Sequence, residues 1–124
     1  MNTLTNVLVV EDEVDSLELV QGLLQYNGIR STGVLTAQDA LVSLNAQTPD
    51  MIIIDLALPD IDGWTLLERL RENAALQGVR KVAMTAYHNP TLAQKAVKAG
   101  FDAYFAKPID ATTFVQDLQQ IAQN

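Results

Sequence analysis

The sequence predicts an α/β fold in which a parallel sheet is covered by helices on both faces, and three observations carry that prediction. Five short apolar runs, at 6–10, 29–35, 51–55, 79–85 and 102–107, alternate with five stretches of helical period. Several of the runs are rich in Val and Ile with little polar alternation, as in strands buried on both faces. Strict strand-then-helix order implies right-handed crossovers and therefore a parallel, doubly wound sheet.

Each element has a local reason. "NVLVV" (6–10) is the first strand, followed by "EVDSLELVQGLLQYNG", where Val14, Leu17, Val20, Leu23 and Leu24 fall on one helical face and Gly28 marks a C-terminal cap. "IRSTGVL" (29–35) is the second strand, and Thr36 is the N-cap of a helix over 36–47. "MIIID" (51–55) is the third strand, and "WTLLERLREN" (64–73) is the third helix, with Trp64 beside Gly63 as its anchor. "VRKVAMT" (79–85) leads to a helix over 90–100, and "DAYFAK" (102–107) to a last helix over 110–123. No linker, repeat or low-complexity segment interrupts the series, so residues 1–124 are expected to form one domain.

Composition excludes several classes. There is no cysteine, so disulfides and thiolate metal sites are out of reach and nothing marks an oxidising compartment. The N-terminal "MNTLTNVLVVEDE" has no basic region before a long apolar stretch, and no apolar run approaches the ~20 residues that span a bilayer. A cytoplasmic domain with no membrane partner is expected. The net charge of −7 argues against direct nucleic-acid binding, which depends on clustered Lys and Arg.

The strand assignments gather the polar residues at one edge. Glu11 and Asp12 end the first strand, Asp55 the third, Thr85 the fourth and Lys107 the fifth, all at carboxyl ends, where ligands bind in doubly wound sheets. Each has an ordinary reading: the acids could cap turns or the first helix, Thr85 could be a strand-end hydroxyl, and Lys107 a solvated charge. Together they are harder to dismiss. Two carboxylates about 5 Å apart repel by roughly 3 kcal/mol at an effective dielectric near 20, so three need a cation or a raised pKa. Oxygen-only ligands favour Mg²⁺, Mn²⁺ or Ca²⁺ over zinc, and Mg²⁺ suits an open site that also admits a phosphoryl group, which Lys107 and the Thr85 hydroxyl would contact.

"VVEDE", "IIIDLALPDIDG", "MTA" and "AKP", in this order and over separate strands, make the whole chain resemble a response-regulator receiver domain of two-component signalling, similar to the single-domain chemotaxis regulators. The resemblance implies a flavodoxin-like sheet of order 2-1-3-4-5 with five helices. It implies that Asp55 is the phosphoacceptor, attacking a phosphoryl donor to form an acyl phosphate, in a domain that catalyses only its own phosphorylation and dephosphorylation. Asp12 matches the direct acidic ligand of Mg²⁺ (or Mn²⁺), Glu11 a ligand acting through water, and the backbone carbonyl of Ala57 a further ligand. Lys107 matches the lysine that pairs with phosphoryl oxygens, and the bond from Lys107 to Pro108 resembles the family's cis peptide. Thr85 matches the hydroxyl drawn toward the phosphate, and Tyr104 the aromatic whose rotamer follows it, although an aromatic in a short edge strand can also be simple packing. His88, the only histidine, is expected to be solvent-exposed.

The implied partners are a histidine kinase or phosphotransfer protein as donor, and an effector protein that reads the face of the fourth helix, fifth strand and fifth helix. Output comes either from that face or from an effector domain beyond Asn124. The resemblance also implies that the residues two past Asp55 and Thr85 govern access of hydrolytic water; here they are Ala57, which cannot orient a water, and Tyr87, which is bulky enough to cover the site, and both point to a long-lived phosphoryl group.

Other functions fit less well. A haloacid-dehalogenase-like phosphatase needs a second acid where Ala57 stands, and a flavin module needs a Ser/Thr/Gly-rich loop where the chain has "EDEVDS". A receiver-like platform that binds proteins without being phosphorylated is the remaining alternative.

Overall fold

The computed structural model describes residues 4–124. The first three positions of the N-terminal stretch read for a targeting signal lie outside them. In chain order the elements are β1 (Asn6–Val10), α1 (Val14–Tyr26), β2 (Arg30–Val34), α2 (Ala37–Ala46), β3 (Met51–Asp55), α3 (Gly63–Arg71), β4 (Arg80–Thr85), α4 (Pro90–Ala99), β5 (Ala103–Ala106) and α5 (Phe114–Gln123), with a short 3-10 turn at Ala74–Leu76. The strands form one parallel sheet in the order β2-β1-β3-β4-β5. The expected fold class and strand order are both observed.

Side-chain alternation assigns the helices to faces. Leu8, Val10, Ile52, Ile54 and Ala83 point to one side, where they pack with α2, α3 and α4 through residues such as Leu44, Leu66 and Ala96. Val7, Val9, Met51, Ile53, Val82 and Met84 point to the other, against α1 and α5 through Leu24, Phe114 and Leu118. Every residue of β3 is buried, because it is the central strand and is covered on both sides. The edge strands β2 and β5 are only partly covered, so the expectation of buried strands holds best for the interior of the sheet.

The chain is fixed around this core by polar contacts at its turns. The Asn89 side chain caps α4 by accepting from the Leu92 N–H, with Pro90 at the helix start, and Gly100 closes the helix at φ 116. Thr36 caps α2 as expected, accepting from the Asp39 N–H. Asp60, in the loop after β3, accepts from the N–H groups of Ala37 and Gln38, which ties that loop to the start of α2.

Three local expectations need correction. The last helix begins at Phe114, not at 110, because Asp110 accepts from both the N–H and the hydroxyl of Thr112 and its carbonyl accepts from Thr113 and Phe114, forming a turn instead. The third helix starts at Gly63 and stops at Arg71, after which Asn73 caps the 3-10 turn. Val14 is 53% exposed and lies off the buried stripe of α1, which is Leu17, Val20 and Leu24. Gly28, at φ 75 just past Asn27, closes α1 in the left-handed conformation as expected, its N–H donating to the Gln25 carbonyl. Among the described residues, no helix is long and apolar enough to cross a membrane.

Candidate functional site

The polar residues singled out in the sequence meet at the carboxyl edge of the sheet. Glu11 follows β1 directly and is held there by its N–H donating to the Val34 carbonyl, 3.0 Å away. Asp55 is the last residue of β3, and the next N–H, of Leu56, donates to the Met84 carbonyl. The Lys107 N–H donates to the Thr85 carbonyl at 2.8 Å, carrying the β4–β5 ladder one step further. Backbone pairing thus delivers all four side chains to one rim.

Carboxylate oxygens of Glu11, Asp12 and Asp55 lie within 4.8 Å of one another. Glu11 and Asp55 are buried, whereas Asp12 is half-buried and borders a cleft of about 270 Å³ shared with Asp55, Ala57, Tyr87 and Lys107. The Lys107 ammonium donates to Glu11 at 2.7 Å, to Glu13 at 2.8 Å and to Asp55 at 2.9 Å. The other Asp55 oxygen accepts from the Ala57 N–H at 2.8 Å, and the other Glu11 oxygen from the Glu13 N–H at 3.2 Å. The Lys107–Pro108 peptide is cis.

Electrostatics in this cluster follow from burial. Burial pushes the Glu11 carboxyl up to about 7, and a hydrogen bond shared with Asp55 adds to the rise. Burial would also raise Asp55, but the bond to Glu11, the Ala57 N–H and Lys107 together outweigh it and hold Asp55 below the usual carboxylate range. For Lys107, burial works downward and is overcome by its three carboxylate partners, so its charge is firmly held. One lysine cannot neutralise four acids. Three hard oxygen donors with one side open fit a divalent cation of the Mg²⁺ type, which keeps several of its waters. The exposed Ala57 lies at the same rim, where a backbone carbonyl can serve.

Thr85 and Tyr104 belong to the same face of the sheet, and their hydroxyls bond to groups other than the acids. Thr85 is 1% exposed, and its hydroxyl accepts from the Tyr87 N–H at 3.1 Å. Tyr104 sits on β5 opposite Ala83, while Thr85 is opposite Ala106, so Thr85 and Tyr104 are diagonal neighbours on the paired strands. The Tyr104 hydroxyl pairs with His88. Tyr87 is 73% exposed at the cleft mouth. Trp64, in the first turn of α3, packs edge-on against Phe101 with Lys95 Nζ of α4 4.8 Å over its ring.

Two contacts were not read from the sequence. The sequence puts Glu13 at the start of the first helix, yet its carboxylate reaches Lys107; the three successive acids of "EDE" are the available signal. His88 is exposed as expected, but it contacts Tyr104, and no sequence signal marks that pairing.

Residues 7–119 match the response regulator receiver domain family. The chain is 33% identical over 115 residues to an uncharacterized 14.6 kDa protein of Leptolyngbya boryana, covering 93% of this chain and 88% of that protein. It is 25% identical over 114 residues to the polar-differentiation response regulator DivK of Brucella ovis, covering 92% and 93%. Among solved structures, a CheY-like response regulator receiver domain from Methylobacillus flagellatus superposes with a TM-score of 0.83 at 33% identity, over 96% of this chain and 99% of that one.

Proposed function

The chain belongs to the response regulator receiver domain family of two-component signalling, and from that premise we propose that Asp55 is its phosphoacceptor. The carrying observation is the position of Asp55: buried at the end of the central strand, 2.9 Å from Lys107 and within one oxygen cluster with Glu11 and Asp12.

The donor is a phosphohistidine of a histidine kinase or phosphotransfer protein. An Asp55 carboxylate oxygen attacks the phosphorus, the O–P bond forms and the P–N bond breaks. The bonding pair leaves with the imidazole nitrogen, which takes a proton from solvent. The depressed pKa of Asp55 keeps the nucleophile ionised at neutral pH. Lys107 supplies a fixed positive charge where phosphoryl oxygens gather. Glu11, Asp12, Asp55 and the Ala57 carbonyl would hold Mg²⁺ or Mn²⁺, which supplies charge neutralisation for the transferred group. Dephosphorylation is the attack of water on the same phosphorus, returning the carboxylate and inorganic phosphate. While Asp55 carries the phosphoryl group, Thr85 turns toward it, Tyr104 follows, and the face of α4, β5 and α5 presents an altered surface to an effector protein.

Incubation with phosphoramidate and Mg²⁺ tests this directly. Intact-mass analysis should find one added phosphoryl group, labile to hydroxylamine and absent from Asp55→Asn. A chain that takes up no phosphate under these conditions would be a binding platform instead.

A further inference from the structure

We propose that Glu13 is a positioning residue that competes with the incoming phosphoryl group for Lys107 and thereby weakens loading of the site. The inference rests on Asp55 being the phosphoacceptor. A lysine ammonium has three N–H donors, and all three of Lys107 are committed, to Glu11, Glu13 and Asp55. A phosphoryl oxygen can bind Lys107 only by displacing one of these acceptors.

The three are not equally replaceable. Glu11 is fully buried and its second oxygen is engaged by the Glu13 N–H, so stripping it of Lys107 leaves a buried acceptor without its partner. Asp55 is 3% exposed, so before it is loaded its carboxylate oxygen cannot take up water in place of Lys107. The Glu13 side chain is 62% exposed and rehydrates as soon as it lets go. Glu13 is therefore the contact that yields. Glu13 occupies the N-cap position of α1, where its side chain makes no capping hydrogen bond and is free to reach a lysine 94 positions away. Glu13 thus holds Lys107 while Asp55 is unphosphorylated.

The test is binding of beryllofluoride with Mg²⁺, followed by amide NMR shifts around the cleft, for wild type, Glu13→Gln and Glu13→Ala. Both variants should bind about two- to fivefold more tightly at low salt, the range expected for removing one exposed charged competitor. In ~1 M salt, where the Debye length is about 3 Å, the advantage should shrink. In a Lys107→Ala background Glu13→Gln should change nothing further, because the effect passes through that lysine. Wild type that binds no beryllofluoride would remove the phosphoacceptor reading and this inference with it. Wild type that binds while Glu13→Gln binds equally or less tightly would overturn the inference alone. A gain that persists without Lys107 would also overturn it, since Glu13 would then act by direct repulsion.

Discussion

The Tyr104 hydroxyl lies 3.1 Å from Nδ1 of His88, with the ring centroids 5.5 Å apart and the ring planes tilted by 41°. This pair joins the loop after β4 to the edge strand β5, on the side of the sheet toward which Thr85 also points. A Tyr104 that turns when Thr85 moves must give up the bond to His88. A net hydrogen bond is worth about 1 kcal/mol, so His88→Ala should raise the population of the turned rotamer about fivefold before any phosphoryl mimic is added. Tyr104 ring shifts by NMR would report it, and Thr85→Ala should bind beryllofluoride while leaving those shifts unmoved. Shifts confined to the acidic cleft in wild type would mean that Tyr104 is packing and not a switch.

Gly63 holds the loop after Asp55 against the start of α3. A Cβ at this position would stand 2.7 Å from the Leu56 Cα and 2.8 Å from the Asp55 carbonyl oxygen, both backbone atoms that cannot rotate away. Gly63→Ala should therefore destabilise the fold by roughly 1–3 kcal/mol, the usual cost of forced overpacking. It should also displace the Asp55 backbone, so urea unfolding and beryllofluoride affinity are expected to suffer together. A variant with wild-type values for both would show that α3 can slide outward freely.

The sheet and its rim were legible because the hydrophobic period changes sharply along the chain, and because strand ends can be counted. Ile52, Ile53 and Ile54 identify a strand covered on both faces, which fixes Asp55 at its end without any tertiary information. Thr112 and Asp110 show where local reading stopped short: the Asp110 carboxylate accepts from both the N–H and the hydroxyl of Thr112, and this local turn delays α5 to Phe114. Glu13 with Lys107, and His88 with Tyr104, were illegible for a different reason. Their spacings match no helical or strand period, and the contacts exist only once β1, β4 and β5 are aligned in the sheet.

Asp12 is the half-exposed member of the acidic cluster and faces the cleft, so it is expected to make the direct metal contact. Asp12→Asn should weaken Mg²⁺ binding by about tenfold or more in calorimetric titration, because one carboxylate charge is lost from a site that relies on few of them. Equal affinity in the variant would move the ligand role elsewhere in the cluster.

Ala57 and Tyr87 flank the cleft, and neither offers a carboxylate or amide to orient a hydrolytic water. Introducing such groups by combining Ala57→Asn with Tyr87→Glu should shorten the phosphoryl half-life, read as loss of the added mass over time. A longer or unchanged half-life would count against shielding by Tyr87.

Far from the cleft, Asp50 ties the loop before β3 to the start of β1 and gives the fold a pH dependence of its own. One of its carboxylate oxygens accepts from the Thr5 N–H at 2.8 Å, the Thr5 hydroxyl at 2.7 Å and the Asn6 N–H at 3.1 Å. What little burial there is works to raise its pKa, but the Thr5 hydroxyl and the two N–H groups prevail and lower it. A carboxyl whose folded pKa is depressed stabilises the fold fully above its unfolded value, near 3.9, and loses that contribution as pH falls through the folded value. Charged hydrogen bonds contribute about 1.5–3 kcal/mol, and the exposure of Asp50 reduces this to roughly 0.5–1.5 kcal/mol at neutral pH. Asp50→Asn should therefore be less stable than wild type by that amount at pH 7, measured by urea unfolding. The difference should close as pH falls below about 4, because the wild-type carboxyl becomes as neutral as the amide. Subtracting variant from wild type cancels the other carboxylates, including those at the cleft, so a gap that widens on acidification would contradict the stabilising role of the Asp50 charge.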